Sequence, residues 1–185
     1  MGEQHKKHNR REHLNDFHLN VAGEYVYDGA LYACQSDDAK QRRLKRAVWG
    51  MAAILIIAVI AGGCIPAPGM QNCFYVLLPY LGEFLGAASV IWALAKLGMD
   101  WSAVREYNYK KSVAVLPVRT AVTAVFSLLG IVCELIFFFV NDHAGQTFFA
   151  LLYVLLKLTA LLSALVLRAE IMQAEWDKLP KKDNS

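Results

Sequence analysis

The sequence predicts an all-α integral membrane protein, a bundle of four transmembrane helices with a mostly polar cytoplasmic N-terminal arm. Apolar residues make up 56% of the 185-residue chain and charged residues only 19%. The charged residues are crowded into residues 1–46, residues 96–119 and the C-terminal tail. Between these blocks lie apolar runs of about 20 residues, the length that an α-helix needs to cross a hydrocarbon layer about 30 Å thick.

The four predicted spans cover residues 47–65, 74–95, 120–140 and 147–167. The segments 66–72 and 141–146 contain Pro, Gly and Asn residues, which favour turns. Buried helices of a soluble protein would show a polar stripe, and these four segments show almost none. The predicted organisation is therefore an N-terminal arm, a transmembrane domain and a C-terminal tail, at residues 1–46, 47–172 and 173–185.

Basic residues fall on one side of this four-span arrangement. Nine Lys and Arg residues precede the first span, five lie between the second and third spans, and four follow the last span. The two other loops contain none, and the remaining basic residue, Lys157, lies within a span. Because positive charge favours the cytoplasmic side, we expect a multi-pass protein of the cell membrane with both termini in the cytoplasm.

The N-terminal arm contains four of the five histidines, His5, His8, His13 and His18, together with several Lys and Arg residues. The histidine spacing matches no zinc-binding pattern, and no metal ion or other cofactor is expected. Attraction of the basic arm to anionic lipid head groups is the favoured interpretation. The lipid bilayer is thus the first predicted partner.

Residues 24–33 contain the pair Asp28-Gly29 between aromatic and β-branched residues, a pattern typical of a β-hairpin. An isolated hairpin is only marginally stable in water, so this one would need another surface. Tyr25, Tyr27 and Tyr32 would then offer a contact to a protein partner. The alternative is a segment that lies on the bilayer surface.

Two further cytoplasmic elements are predicted close to the membrane. A juxtamembrane helix starts at about residue 37 and continues into the first span. The segment 100–112, with Trp101, Tyr107 and Tyr109, is expected to lie along the inner interface, where aromatic side chains are favoured.

Three ionisable side chains lie within predicted spans: Glu83, Glu134 and Lys157. Such residues are costly in hydrocarbon and mark either a function or tight pairing. At 1.5 Å per residue, they lie roughly 14, 9 and 15 Å below the outer ends of their spans, so all three could meet inside the bundle. Two interpretations remain open, an interhelical ion pair and a polar pathway for ions. One of the two carboxyl groups is expected to carry a proton.

Two other patterns concern helix packing and the outer loop. Gly82, Gly86, Ser89 and Ala93 share one face of the second span, which predicts close helix packing. Cys64 and Cys73 flank the loop 66–72. In an oxidising exterior they could form a disulfide worth about 2–3 kcal/mol, and two free thiols are the alternative.

Three functions are compatible with these patterns. The favoured one is a non-enzymatic subunit or scaffold that binds a protein partner on the cytoplasmic side, alone or as a homo- or hetero-oligomer. The second is a small proton- or ion-coupled transporter or channel that uses Glu83, Glu134 and Lys157. The third is a membrane thiol redox protein. We expect no catalytic residues and no nucleic-acid partner.

Overall fold

The computed structural model describes residues 17–19, 23, 25–27, 29–98, 101–141 and 146–179. The predictions for residues 1–16 and for Asp28 lie outside these residues. The predicted fold class is confirmed, since the structure is mostly helical and four helices are long and apolar enough to cross a membrane. A helix satisfies its own backbone hydrogen bonds, which is what hydrocarbon requires of a spanning segment.

The helices in the described part of the chain are α1 Asp38–Cys64, α2 Pro68–Asn72, α3 Phe74–Leu97, α4 Glu106–Lys111, α5 Leu116–Val140 and α6 Thr147–Gln173. The four spanning helices α1, α3, α5 and α6 contain nearly all of the predicted spans. As predicted, α1 begins close to residue 37 and continues without a break into the first span. In the bundle, α1 neighbours α3 and α6, and α5 also neighbours α3 and α6. Consequently α3 and α6 lie diagonally opposite each other.

The strands are β1 Phe17–Leu19, β2 Tyr25–Tyr27, β3 Leu31–Cys34, β4 Val104–Arg105 and β5 Trp176–Lys178. An antiparallel pair is formed by β1 and β2, and a three-stranded antiparallel sheet has the order β4-β3-β5. This sheet joins the arm, the α3–α5 connection and the tail at one end of the bundle. We call this end the sheet end and the opposite end, where α2 lies, the α2 end.

The predicted hairpin over residues 24–33 is wrong. Strand β2 pairs with β1, while β3 pairs with β4 and β5. The type I′ turn that an Asp-Gly pair favours needs positive φ at both central residues, and Gly29 is not among the described residues with positive φ, which are Gly23 and Gly98. Gly23, with φ 80°, lies between β1 and β2. The glycine with a turn conformation is therefore Gly23 and not the predicted Gly29.

The segment predicted at the inner interface folds into the sheet end. Trp101 is only 2% exposed, and its ring centroid lies 5.7 Å from that of Trp176. Tyr109 stacks on Tyr32 with centroids 4.3 Å apart and lies 5.8 Å from Trp176. These aromatic side chains come from distant parts of the sequence, and they form a small core at the sheet end of the bundle.

The loop predicted at residues 66–72 is more than a turn. It contains the helix α2, and its residues Ala67, Pro68 and Gly69 are buried. Pro68 stands at the start of the helix, where its missing N–H has no cost. Helix α2 contacts α3, α5 and α6, so this segment closes the α2 end of the bundle.

Candidate functional site

All three ionisable residues predicted within the spans are buried. Glu83 and Glu134 are 0% exposed and Lys157 is 1% exposed. They project from α3, α5 and α6 respectively. The predicted first span contains no charged residue, so the charged groups of the interior come from the other three spanning helices.

Glu83 and Lys157 form an ion pair in which the ammonium group of Lys157 donates a hydrogen bond to Oε2 of Glu83. The other carboxylate oxygen of Glu83, Oε1, accepts a hydrogen bond of 2.6 Å from Oγ of Ser127. Because α3 and α6 lie on a diagonal, the ion pair crosses the centre of the bundle. Ser127 adds α5 to the same contact, so three helices are joined at one point.

Two tyrosine rings and a glycine surround the ammonium group. Nζ of Lys157 lies 4.5 Å from the ring centroid of Tyr80 and 5.0 Å from that of Tyr153, within the range of cation–π attraction. Gly130 borders the lysine side chain, and a Cβ there would lie in ordinary van der Waals contact, 3.6 Å from Cε of Lys157. Tyr80 was not among the predicted site residues, although its position three residues before Glu83 puts it on the same helix face.

Glu134 does not take part in this ion pair. Its Oε1 accepts one long hydrogen bond of 3.4 Å from the backbone N–H of Gly69, and its Oε2 has no hydrogen-bond partner within the described residues. Glu134 lies seven residues beyond Ser127 on α5, which is roughly 10 Å along the helix towards the α2 end. The structure therefore brings two of the three predicted residues together and gives the third a separate site.

A pocket of about 130 Å³ adjoins Glu134. Its other lining residues come from α5 and α6 and are all apolar: Leu135, Phe138, Phe139, Ala150, Leu151 and Val154. On the bundle side, the hydroxyl group of Tyr153 is buried and has no hydrogen-bond partner in the described part of the chain. Gly69, which holds Glu134, was not predicted, because no local pattern shows that the first loop folds back onto the bundle.

Three of the four small residues of the second span, Gly82, Gly86 and Ser89, lie where α3 meets α5. A Cβ at Gly82 would come within 2.6 Å of the ring of Phe126, and one at Gly86 within 3.3 Å of the backbone Cα of Thr123. The carbonyl oxygen of Ser89 accepts a 2.6 Å hydrogen bond from Arg119. Ala93 is fully buried. The small side chains thus let the two helices approach closely.

The predicted disulfide is not present in the structure. Cys64 and Cys73 are both free thiols, Cys64 exposed and Cys73 partly exposed. The short helix α2 lies between them, and the hydrogen bond from Gly69 to Glu134 holds this segment against the bundle. Cys34 and Cys133 are also free. Among the described residues, no group of three or more His, Cys, Asp or Glu side chains could hold a metal ion.

No known protein family, curated protein or solved structure matches this chain. The function must therefore be argued from the sites themselves. Two features of the molecule bear on its function, the folded sheet end and the isolated carboxyl group of Glu134.

Proposed function

We propose that the chain is a non-enzymatic multi-pass membrane protein that acts as a subunit or scaffold and binds a protein partner on the cytoplasmic side of the cell membrane. The observation that supports this function is the sheet at one end of the bundle. It brings together three segments that are far apart in sequence, and it is extended by hydrogen bonds from Cys34 to Trp101 and from Gln35 to Glu175.

The charge distribution supports a cytoplasmic location for this end. Apart from Lys157, every Lys and Arg among the described residues lies in the sheet-end half of the molecule. The positive-inside rule assigns such an end to the cytoplasm. Both described ends of the chain, β1 and β5, also lie on this side, in agreement with an even number of spans.

A partner contact at this end is best supported at Tyr25, which is 77% exposed. The other two predicted tyrosines already have contacts within the chain. Tyr32 stacks on Tyr109, and the hydroxyl group of Tyr27 donates to the carbonyl oxygen of Ala30 at 3.2 Å. An exposed aromatic side chain beside a sheet with terminal strands suits a partner that adds a strand to the sheet or has a pocket for the aromatic ring.

The ion pair in the bundle supports a structural role over a transport role. Both oxygens of Glu83 are engaged, one by Lys157 and one by Ser127. The pair therefore joins helices, and each oxygen of the acid already has a partner within the bundle. A small proton- or ion-coupled transporter is the second candidate function, and the unpartnered oxygen of Glu134 is the observation that favours it.

Photocrosslinking in native membranes tests the partner. A photoreactive phenylalanine derivative at Tyr25 should give an adduct of one discrete mass. The matched control carries the same group at Phe139, which is 81% exposed but lies near the α2 end. The adduct should weaken when the exposed Lys178 of the terminal strand β5 is changed to Glu. Adducts of the same mass at both positions, or none at Tyr25, would rule out this interface.

Transport is tested separately with purified protein in liposomes. If the scaffold function is correct, proton or cation flux should be the same in protein-containing and empty liposomes. Flux that depends on Glu134, and that Glu134→Gln abolishes while the protein stays folded, would replace the scaffold proposal with the transporter.

A further inference from the structure

We propose that the pocket between α5 and α6 at the α2 end, which we call the Glu134 pocket, binds a small lipophilic amine. The protonated amine would rest on the carboxylate of Glu134 and its apolar body would fill the pocket. This inference goes beyond the scaffold function, because the pocket lies at the opposite end of the bundle from the sheet. It follows from three properties of the site, namely charge, free hydrogen-bonding capacity and size.

The first property is an acid without a counterion. The ammonium group of Lys157, in the middle of the bundle, is engaged by Glu83. Glu134 is 0% exposed. Within the described residues it has no ion pair and accepts no hydrogen bond from another side chain. A buried carboxylate is strongly disfavoured unless it is paired. A ligand that brings a positive charge would supply the missing partner.

The second property is a carboxyl group with free hydrogen-bonding capacity. Oε2 has no hydrogen-bond partner in the described part of the chain. Oε1 accepts one hydrogen bond within these residues, of 3.4 Å from Gly69, which is longer than the usual range of about 2.7–3.2 Å. In the structure both carboxyl oxygens lie against Gly69 and do not face the pocket. Binding therefore requires the weakly held carboxyl group to turn towards the pocket that its own side chain lines. An ammonium group offers several donors to such an acceptor.

The third property is the size and lining of the pocket. At about 130 Å³, it is similar to the engineered apolar cavity of roughly 150 Å³ that binds benzene. All lining residues other than Glu134 are apolar. Phe139 and Leu151, two of them, are also exposed on the outer face of the bundle, so the pocket opens towards lipid. One aromatic ring or a short branched alkyl group with an amine fits this site.

The test uses the full chain in lipid nanodiscs and three probes of nearly equal shape: benzylammonium, benzyl alcohol and toluene. Empty nanodiscs correct for partition into lipid. We expect benzylammonium to bind most tightly, with an advantage over toluene of about tenfold or more, because a charge-assisted hydrogen bond is stronger than apolar contact alone. Glu134→Gln, which keeps the shape, should remove this advantage and leave toluene binding unchanged.

Two further variants separate the pocket from non-specific binding. Ala150→Phe should fill the pocket and abolish binding of all three probes. Leu165→Phe changes an exposed lipid-facing residue of α6 outside the pocket and should leave binding unchanged. Thermal unfolding verifies that each variant is folded. If Ala150→Phe does not fold, the affinities of Glu134→Gln and the unmodified protein for benzylammonium still decide whether Glu134 binds the amine.

The proposal is overturned if benzylammonium binds the unmodified protein and Glu134→Gln equally, if toluene binds as tightly as benzylammonium, or if no probe binds more than to empty nanodiscs. None of these results affects the scaffold proposal, because the assay contains no protein partner. Loss of the Tyr25 crosslink would likewise leave the Glu134 pocket untouched.

Discussion

Replacing Lys157 with Met tests the central ion pair. Met has a similar length and keeps the packing against the rings of Tyr80 and Tyr153. Glu83 is left with Ser127 as its only hydrogen-bond partner among the described residues. Breaking a buried ion pair costs about 3–5 kcal/mol in soluble proteins, whereas polar contacts inside membranes average about 0.6 kcal/mol. Since both residues are almost fully buried, we expect Lys157→Met to lower the free energy of unfolding by about 2 kcal/mol, between these values.

A double-mutant cycle gives the magnitude that belongs to the pair. Unfolding in mixed detergent micelles would be measured for Lys157→Met, Glu83→Gln and the double variant. Replacing both buried charges together is often nearly neutral, so the double variant should recover most of the loss. Glu134→Gln serves as the control, and its effect should add to that of Lys157→Met within about 0.5 kcal/mol.

Two results would refute this reasoning. If Lys157→Met costs the same whether residue 83 is Glu or Gln, the ion pair does not stabilise the bundle. If Glu134→Gln and Lys157→Met couple by more than about 1 kcal/mol, the three residues act as one cluster, as the sequence alone had suggested.

The remaining predictions concern packing, thiols and topology. Gly86→Leu should lower the free energy of unfolding by about 1–3 kcal/mol through overpacking, because even a Cβ there would lie 3.3 Å from the Cα of Thr123. Gly50→Ala is the control, since no atom lies within 4 Å of the new Cβ, and it should cause no such loss in the same unfolding assay. A membrane-impermeant maleimide should label the exposed Cys64 without reductant, and labelling that requires reductant would instead support a bond to Cys73. Reporter domains fused to each terminus should both report cytoplasm, and an exterior report from either one would contradict the proposed orientation.

The sequence by itself determined the number, position and approximate length of the spanning helices. This is possible because the bilayer sets one length for every span, and an uninterrupted apolar run of that length has few alternatives. The distribution of Lys and Arg gave the basis for the expected orientation. The sequence also identified Glu83, Glu134 and Lys157 as unusual, because a charged residue in an apolar run is visible without any structure.

Tertiary structure decided which of these residues meet. The helical rise estimates the depth of each side chain, but the neighbour across the bundle depends on how each helix is rotated and on which helices are diagonal. Glu83 and Lys157 face each other for this reason, while Glu134 contacts Gly69 in a segment that the sequence indicates only as a turn.

The sheet end shows the same limit for strands. Asp28-Gly29 is a local hairpin signal, but β3 takes its partners from β4 and β5, more than 60 residues away along the chain. In the folded bundle the four helices place the three segments at the same end. The helix arrangement therefore places the long-range partners beside β3, and the local turn signal does not decide the pairing.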